Sequence, residues 1–144
     1  MKFGPIPTTI AVVFVLWLVV PDYEITVENY SVHPDTIFAF FIGGLAGGLR
    51  FAYLKQRNMN ARETLSHALV AYIVATAIPL ALFAGLVYFA RELPAVAELL
   101  EQSFPATDVL NFLIGYFAID AVPSLLALCA ALLVSQSWSA QARA

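Results

Sequence analysis

The sequence has little charge and almost no cysteine. Charged residues make up 12% of its 144 residues and hydrophobic residues 61%, against about 25% and 45–50% in soluble domains. A soluble domain of this size still exposes roughly a third of the surface of its chain, so it could not bury this much apolar area. The composition therefore predicts that lipid covers most of the chain. A single cysteine, Cys129, excludes an internal disulfide.

Motifs of enzymes and of metal or nucleotide sites are also missing. His33 and His67 form no His-x-x-x-His pair, and no Gly-x-Ser-x-Gly or Gly-Lys-Ser/Thr occurs. We therefore expect no enzymatic activity, no catalytic residues, no metal and no cofactor.

Four apolar stretches and their loops occupy nearly the whole chain, at about 20 residues for each membrane span. They predict an all-α integral membrane protein, a single membrane domain with spans over residues 6–20, 35–54, 65–90 and 109–134. The first stretch is short enough for a signal peptide, but only Lys2 precedes it and no small-x-small cleavage site follows. We interpret it as a retained anchor.

The charges predict the orientation of these spans. In the loop from Pro21 to Pro34 every Asp, Glu, Lys or Arg is an acid, whereas the loop from Lys55 to Thr64 has three bases and one acid. Lys and Arg are retained on the cytoplasmic side of a bacterial inner membrane. Four spans with both termini inside place six of the seven basic residues there, which predicts a multi-pass protein of the cytoplasmic (inner) membrane.

The third loop has a pattern of its own. Apolar residues repeat at helical spacing from Leu93 to Phe104, between Pro94 in the first turn and Pro105 at the end. Two interpretations remain open, an extension of the third span or a short amphipathic helix on the outer surface. We favour the second and predict that helix over residues 93–104.

Glycines form a distinctive pattern in the second span. Gly43 and Gly47 lie four residues apart, as do Gly44 and Gly48, so each pair shares a helix face. Small residues at this spacing let a second helix approach closely and drive helix association in lipid. Packing within one subunit and packing between subunits are equally compatible with this pattern, and two adjacent faces could serve both.

One acid lies well inside a span. Asp120 is about 18 Å along the fourth span when counted from Asp108 at 1.5 Å per residue, and an uncompensated carboxylate in lipid is costly. Arg50, about 22 Å along the second span, is the natural partner, although it could instead extend to the inner headgroups. We expect Asp120 to have a role in the function of the protein or in its assembly.

Two prolines interrupt predicted spans. Pro79 and Pro123 each lack an N–H and crowd the carbonyl four residues earlier. Because Pro123 adjoins Asp120, we expect the fourth span to bend beside its charge. Such a bend could line a polar path, or it could simply improve packing.

The order of these features resembles small bacteriophage holins of the LydA-like type over about Phe41–Leu125. The matching segments are Gly47–Phe51, Arg62-Glu63, Ile78–Leu80, Phe112–Tyr116 and Asp120. The resemblance implies a pore-former that accumulates in the host inner membrane, associates laterally and opens a lesion for host cell lysis.

Three hypotheses follow for function. The first is a holin-like pore protein that self-associates through its glycine faces. The second is a structural or accessory subunit of a larger membrane complex or of a viral membrane, and the third is a small oligomeric channel or transporter that uses Asp120. We expect membrane lipid and either a second copy or another membrane protein as partners, and no nucleic acid.

Overall fold

The chain is mostly helical in the computed structural model, which describes residues 3–28, 30–95, 97–98 and 119–144. Its elements are α1 (Pro5–Val19), β1 (Ile25–Val27), β2 (Tyr30–Val32), α2 (Pro34–Lys55), α3 (Ala61–Arg91) and α4 (Ala121–Arg143). The predicted outer helix lies mostly outside the described residues, as do residues 109–118 of the predicted fourth span.

Among the described residues, three helices, α2, α3 and α4, are long and apolar enough to cross a membrane. The 15 residues of α1 extend about 22 Å at 1.5 Å per residue, which is less than the roughly 30 Å of a hydrocarbon core. The structure thus confirms a helical chain suited to a membrane, while the count of four spans stays a prediction.

The first loop forms a two-stranded antiparallel hairpin in which Val27 pairs with Tyr30, an element that the all-α prediction does not include. The helix α4 continues beyond residue 134, the predicted end of the fourth span, to Arg143. The continuation is possible because the polar residues after Val134 still pack on the bundle, with Ser135 and Gln136 buried.

Local sequence explains where the helices begin and end. Pro34 occupies the first turn of α2, where its missing N–H costs nothing, and Gln56 ends that helix in the left-handed region with φ of 54°. A capping box opens α3: the Asn60 side chain accepts from the Glu63 N–H, and the Glu63 carboxylate accepts from the Asn60 N–H.

The helices α1 to α4 alternate in direction along the chain. Gly43 and Gly47 of α2 meet α1 at Val13 and Thr9 respectively, so these two helices are antiparallel. On the other side α4 runs parallel to α2. The helix α3 runs antiparallel to α2 and α4 and parallel to α1. Near its start, Thr64 lies beside Gln136 in the second half of α4, and His67 lies beside Thr9 in the first half of α1. The core lies between them and is filled by Phe40, Leu128, Leu132, Val13, Ala68 and Ala71.

This arrangement places most of the described bases at one end of the bundle and most of the described acids at the other, with Glu63 and Arg91 as the exceptions. The first end, called here the basic end, carries Arg50, Lys55, Arg57, Arg62 and Arg143. The opposite, acidic end carries Asp22, Glu24, Glu28, Asp35 and Asp120. Residues near both chain ends lie at the basic end, where Arg50 Nε donates to the Phe3 carbonyl and Arg143 to the Asn58 side chain.

Candidate functional site

The first glycine face of α2 packs on α1. A Cβ atom at Gly43 would lie 2.7 Å from Val13 Cγ2 and 2.9 Å from the Thr9 carbonyl oxygen. At Gly47 it would overlap Thr9 Oγ1 and lie 3.0 Å from His67 Nε2. Only glycine leaves room for this contact, because ordinary contacts of a Cβ atom begin at 3.4 Å.

The second glycine face packs on α4. A Cβ atom at Gly44 would lie 2.9 Å from Ala131 Cβ and 3.0 Å from the Leu128 carbonyl oxygen, and one at Gly48 would overlap Ser135 Oγ. Both faces are therefore occupied within the chain. Of the two interpretations that the glycine spacing left open, these contacts favour packing within one subunit, because α1 covers one glycine face of α2 and α4 covers the other.

Asp120 pairs with His33 rather than with Arg50. Its Oδ2 lies 2.7 Å from His33 Nδ1, and its Oδ1 accepts from the His33 backbone N–H at 3.3 Å. His33 is the residue before α2 and Asp120 the residue before α4, so the pair joins the starts of two parallel helices. The carboxylate is 1% exposed and lies at the positive end of the α2 dipole.

Arg50 lies at the other end of the bundle. Its Nε donates to the Phe3 carbonyl at 3.0 Å, and its guanidinium lies 5.6 Å from the centre of the Tyr53 ring. From His33 to Arg50 is about 25 Å along α2 at 1.5 Å per residue, which rules out contact with Asp120. The predicted pairing is wrong because Asp120 lies level with the beginning of α2 and not near its end.

The surroundings of His33 favour its protonated form. Burial lowers the pKa of the imidazole, but the hydrogen bond to Asp120 and the charges of Asp120, Asp22 and Asp35 raise it by more, so that the pKa lies above 6.5. Chemically, the pair can hold a proton between a carboxylate and an imidazole at the acidic end. Sequence reasoning missed His33 because its partner is 87 residues away.

A second polar contact lies deep in the bundle and was also missed. His67 is 3% exposed, and its Nε2 lies 2.8 Å from Thr9 Oγ1. The hydroxyl of Thr9 also lies 3.3 Å from the Pro5 carbonyl. This contact joins α3 to α1 directly beside Gly47, so the absence of a side chain at Gly47 makes room for it.

The two prolines have different surroundings. The helix α3 continues through Pro79. Pro123 is the third residue of α4, in the first turn, where backbone N–H groups need no partner within the helix. Asp120 directly before the helix has turn conformation, so α4 begins beside the charge, where the sequence predicts a bend.

Within the described ranges, no group of three His, Cys, Asp or Glu side chains comes close enough to hold a metal ion. His33 and His67 lie at different levels of the bundle, one before α2 and the other beside Gly47. No protein family, curated protein or solved structure matches this chain.

Proposed function

We propose that the chain is a four-span protein of the cytoplasmic membrane with both termini inside, and that it forms a holin-like pore by self-association. The membrane placement is supported by three helices of spanning length. The orientation is supported by the distribution of charge. Five bases lie together at the basic end, and because Lys and Arg are retained on the cytoplasmic side, that end would form the cytoplasmic face.

The observation that carries self-association is the outer half of α3, from Pro79 onward. This helix has 31 residues and extends about 46 Å, well beyond the roughly 30 Å of a hydrocarbon core. Its large side chains are exposed among the described residues: Leu82 65%, Phe83 51%, Leu86 70%, Tyr88 67% and Phe89 69%. A helix that is apolar on all sides requires apolar neighbours on all sides.

Lipid can cover only the part of this segment that lies within the bilayer. The length of α3 that exceeds the hydrocarbon core favours contact with another protein chain. Self-association is therefore assigned to the outer half of α3 and not to the glycine faces, which α1 and α4 already cover. The resemblance to LydA-like holins adds the mechanism, in which copies accumulate and open the inner membrane.

Expression in bacteria with a membrane-potential dye tests this proposal. We expect the chain alone to depolarise the cells. Gly85→Leu should delay depolarisation, because Gly85 lies on the outer half of α3 and a leucine there would obstruct contact with a second copy. An added Cβ at Gly85 meets no atom of the described residues within 4 Å, so the variant can fold. Ala130→Leu, at an exposed position of α4, is the matched control and should act like the unaltered chain.

Harmless accumulation of the chain in the membrane would refute the pore. Stable purification with a different polypeptide, with no change in membrane potential, would identify an accessory subunit instead.

The His33–Asp120 pair favours one second candidate, a small oligomeric channel or transporter. A buried carboxylate paired with an imidazole can take up and release a proton. In that case Asp120→Asn should abolish a pH-dependent flux in proteoliposomes while leaving assembly unchanged. An unchanged flux, or no flux from the unaltered chain, would eliminate this candidate.

A further inference from the structure

A groove lies at the basic end, between the last turns of α2 and α4. Its volume is about 400 Å³. Both helices supply apolar side chains, an aromatic ring and polar groups to it; the lining residues are Leu49, Ala52, Tyr53, Gln56, Trp138, Ser139, Ala142 and Arg143. An aliphatic chain fits the apolar part, and a charged group fits the rim.

The aromatic side chains give the depth of this groove in a membrane. Tyr53 is 68% exposed and Trp138 51% exposed, one on each side of the groove. Exposed Trp and Tyr rings collect at the headgroup level of a bilayer, where one end of the ring is apolar and the other is wet. The groove therefore lies where an acyl chain meets its headgroup.

The charge at the rim is positive and uncompensated among the described residues. Arg143 donates to the neutral Asn58 side chain, and Arg50, beside Tyr53, donates to the Phe3 carbonyl. Glu63 is the one carboxylate side chain of this end in the described part, and Arg57 holds it with two hydrogen bonds of 2.6 and 2.8 Å. Two guanidinium groups thus remain for an anion.

We infer that this groove binds an anionic phospholipid of the inner leaflet, with an acyl chain along Leu49 and Ala52 and the phosphate at Arg143. The inference rests on the membrane placement proposed above. The complementary charge selects an anionic over a zwitterionic headgroup, because the net charge of the latter is zero and the inner leaflet attracts basic residues through its anionic lipids.

Quenching of Trp138 fluorescence tests this inference. The sequence has two tryptophans, so Trp17→Phe leaves Trp138 as the sole reporter and keeps an aromatic ring against Phe40. The variant is reconstituted in bilayers that mix phosphatidylglycerol and phosphatidylcholine, with bromine on the acyl chains of one lipid or the other. We expect brominated phosphatidylglycerol to quench more strongly.

Arg143→Gln should reduce this preference about five-fold, the loss expected for one basic contact with an anionic surface. Arg62→Gln is the matched control, a base of the same end that does not line the groove, and should keep the preference. Native mass spectrometry of the unaltered chain gives a second measurement, with retained phosphatidylglycerol expected and phosphatidylcholine not.

The failures are distinguishable. Equal quenching by both lipids, or an equal loss in Arg62→Gln, would overturn the lipid site and leave the membrane placement intact. If added inorganic phosphate abolished the preference for phosphatidylglycerol, the rim would be a site for a free anion and the proposed lipid site would be overturned. Quenching by neither lipid would overturn the membrane placement as well.

Discussion

Gly44→Ala gives the most direct test of how α2 packs in this bundle. Its new Cβ would lie 2.9 Å from both Ala131 Cβ and Leu128 Cδ1, and 3.0 Å from the Leu128 carbonyl oxygen. Ordinary contacts begin at 3.4 Å. The leucine tip can move, but the Leu128 carbonyl belongs to the backbone of α4, so the two helices would have to separate.

The magnitude follows from two opposing effects. Overpacking of a well-filled core costs about 1–3 kcal/mol, whereas replacing glycine by alanine inside a helix gains up to about 1 kcal/mol. Gly85→Ala supplies the matched control, since it has the same gain and its new Cβ meets no atom of the described part of the chain within 4 Å. The difference in stability between the two variants therefore isolates the clash, and we expect about 1–3 kcal/mol.

The assay is unfolding in mixed detergent micelles, followed by circular dichroism of the helices. Ala131→Gly combined with Gly44→Ala should recover part of the loss, because it removes one of the three contacts. If Gly44→Ala proved as stable as Gly85→Ala, the α2–α4 contact described here would be refuted, and the glycine face would be open to another subunit.

Three further predictions concern the polar contacts. His33→Gln should lower the unfolding free energy by about 1.5–3 kcal/mol below pH 6.5. Because the pKa of His33 is raised in the folded state, this difference should shrink as the pH rises through that pKa. A difference that does not depend on pH would contradict the pairing with Asp120. Gly47→Ala should destabilise by about 1–3 kcal/mol, and adding Thr9→Ala should lessen that loss in the same assay unless α1 packs elsewhere. Asn60→Ala should cost about 1 kcal/mol through loss of the cap of α3, and an unchanged thermal midpoint would show that the capping box does not form.

Sequence reasoning located α2 and α3 well because apolar length alone decides them. The predicted spans at 35–54 and 65–90 lie inside helices that are only one to four residues longer at either end. The cap of α3 is visible in the sequence as Asn60 followed three residues later by Glu63. The hairpin was recoverable too, from apolar alternation on both sides of the turn at Glu28.

Partners across the bundle could not be predicted in the same way. A residue count gives depth along one helix, but the pairing of Asp120 depends on how far two helices are displaced along each other. The same limit applies to His67 and Thr9, which are 58 residues apart. For the glycines, spacing predicts close packing, but only the positions of α1 and α4 decide whether the neighbour belongs to the same chain.

The central claim is that lipid surrounds this bundle and that its basic end faces the cytoplasm. Single cysteines in a Cys129→Ser background test it directly, one replacing Glu24 at the acidic end and one replacing Gln141 at the basic end, both exposed positions. A membrane-impermeant maleimide on spheroplasts should label the first at once and the second only after the membrane is permeabilised. Labelling of Gln141→Cys in intact spheroplasts, or recovery of the chain in the soluble fraction without detergent, would contradict the claim.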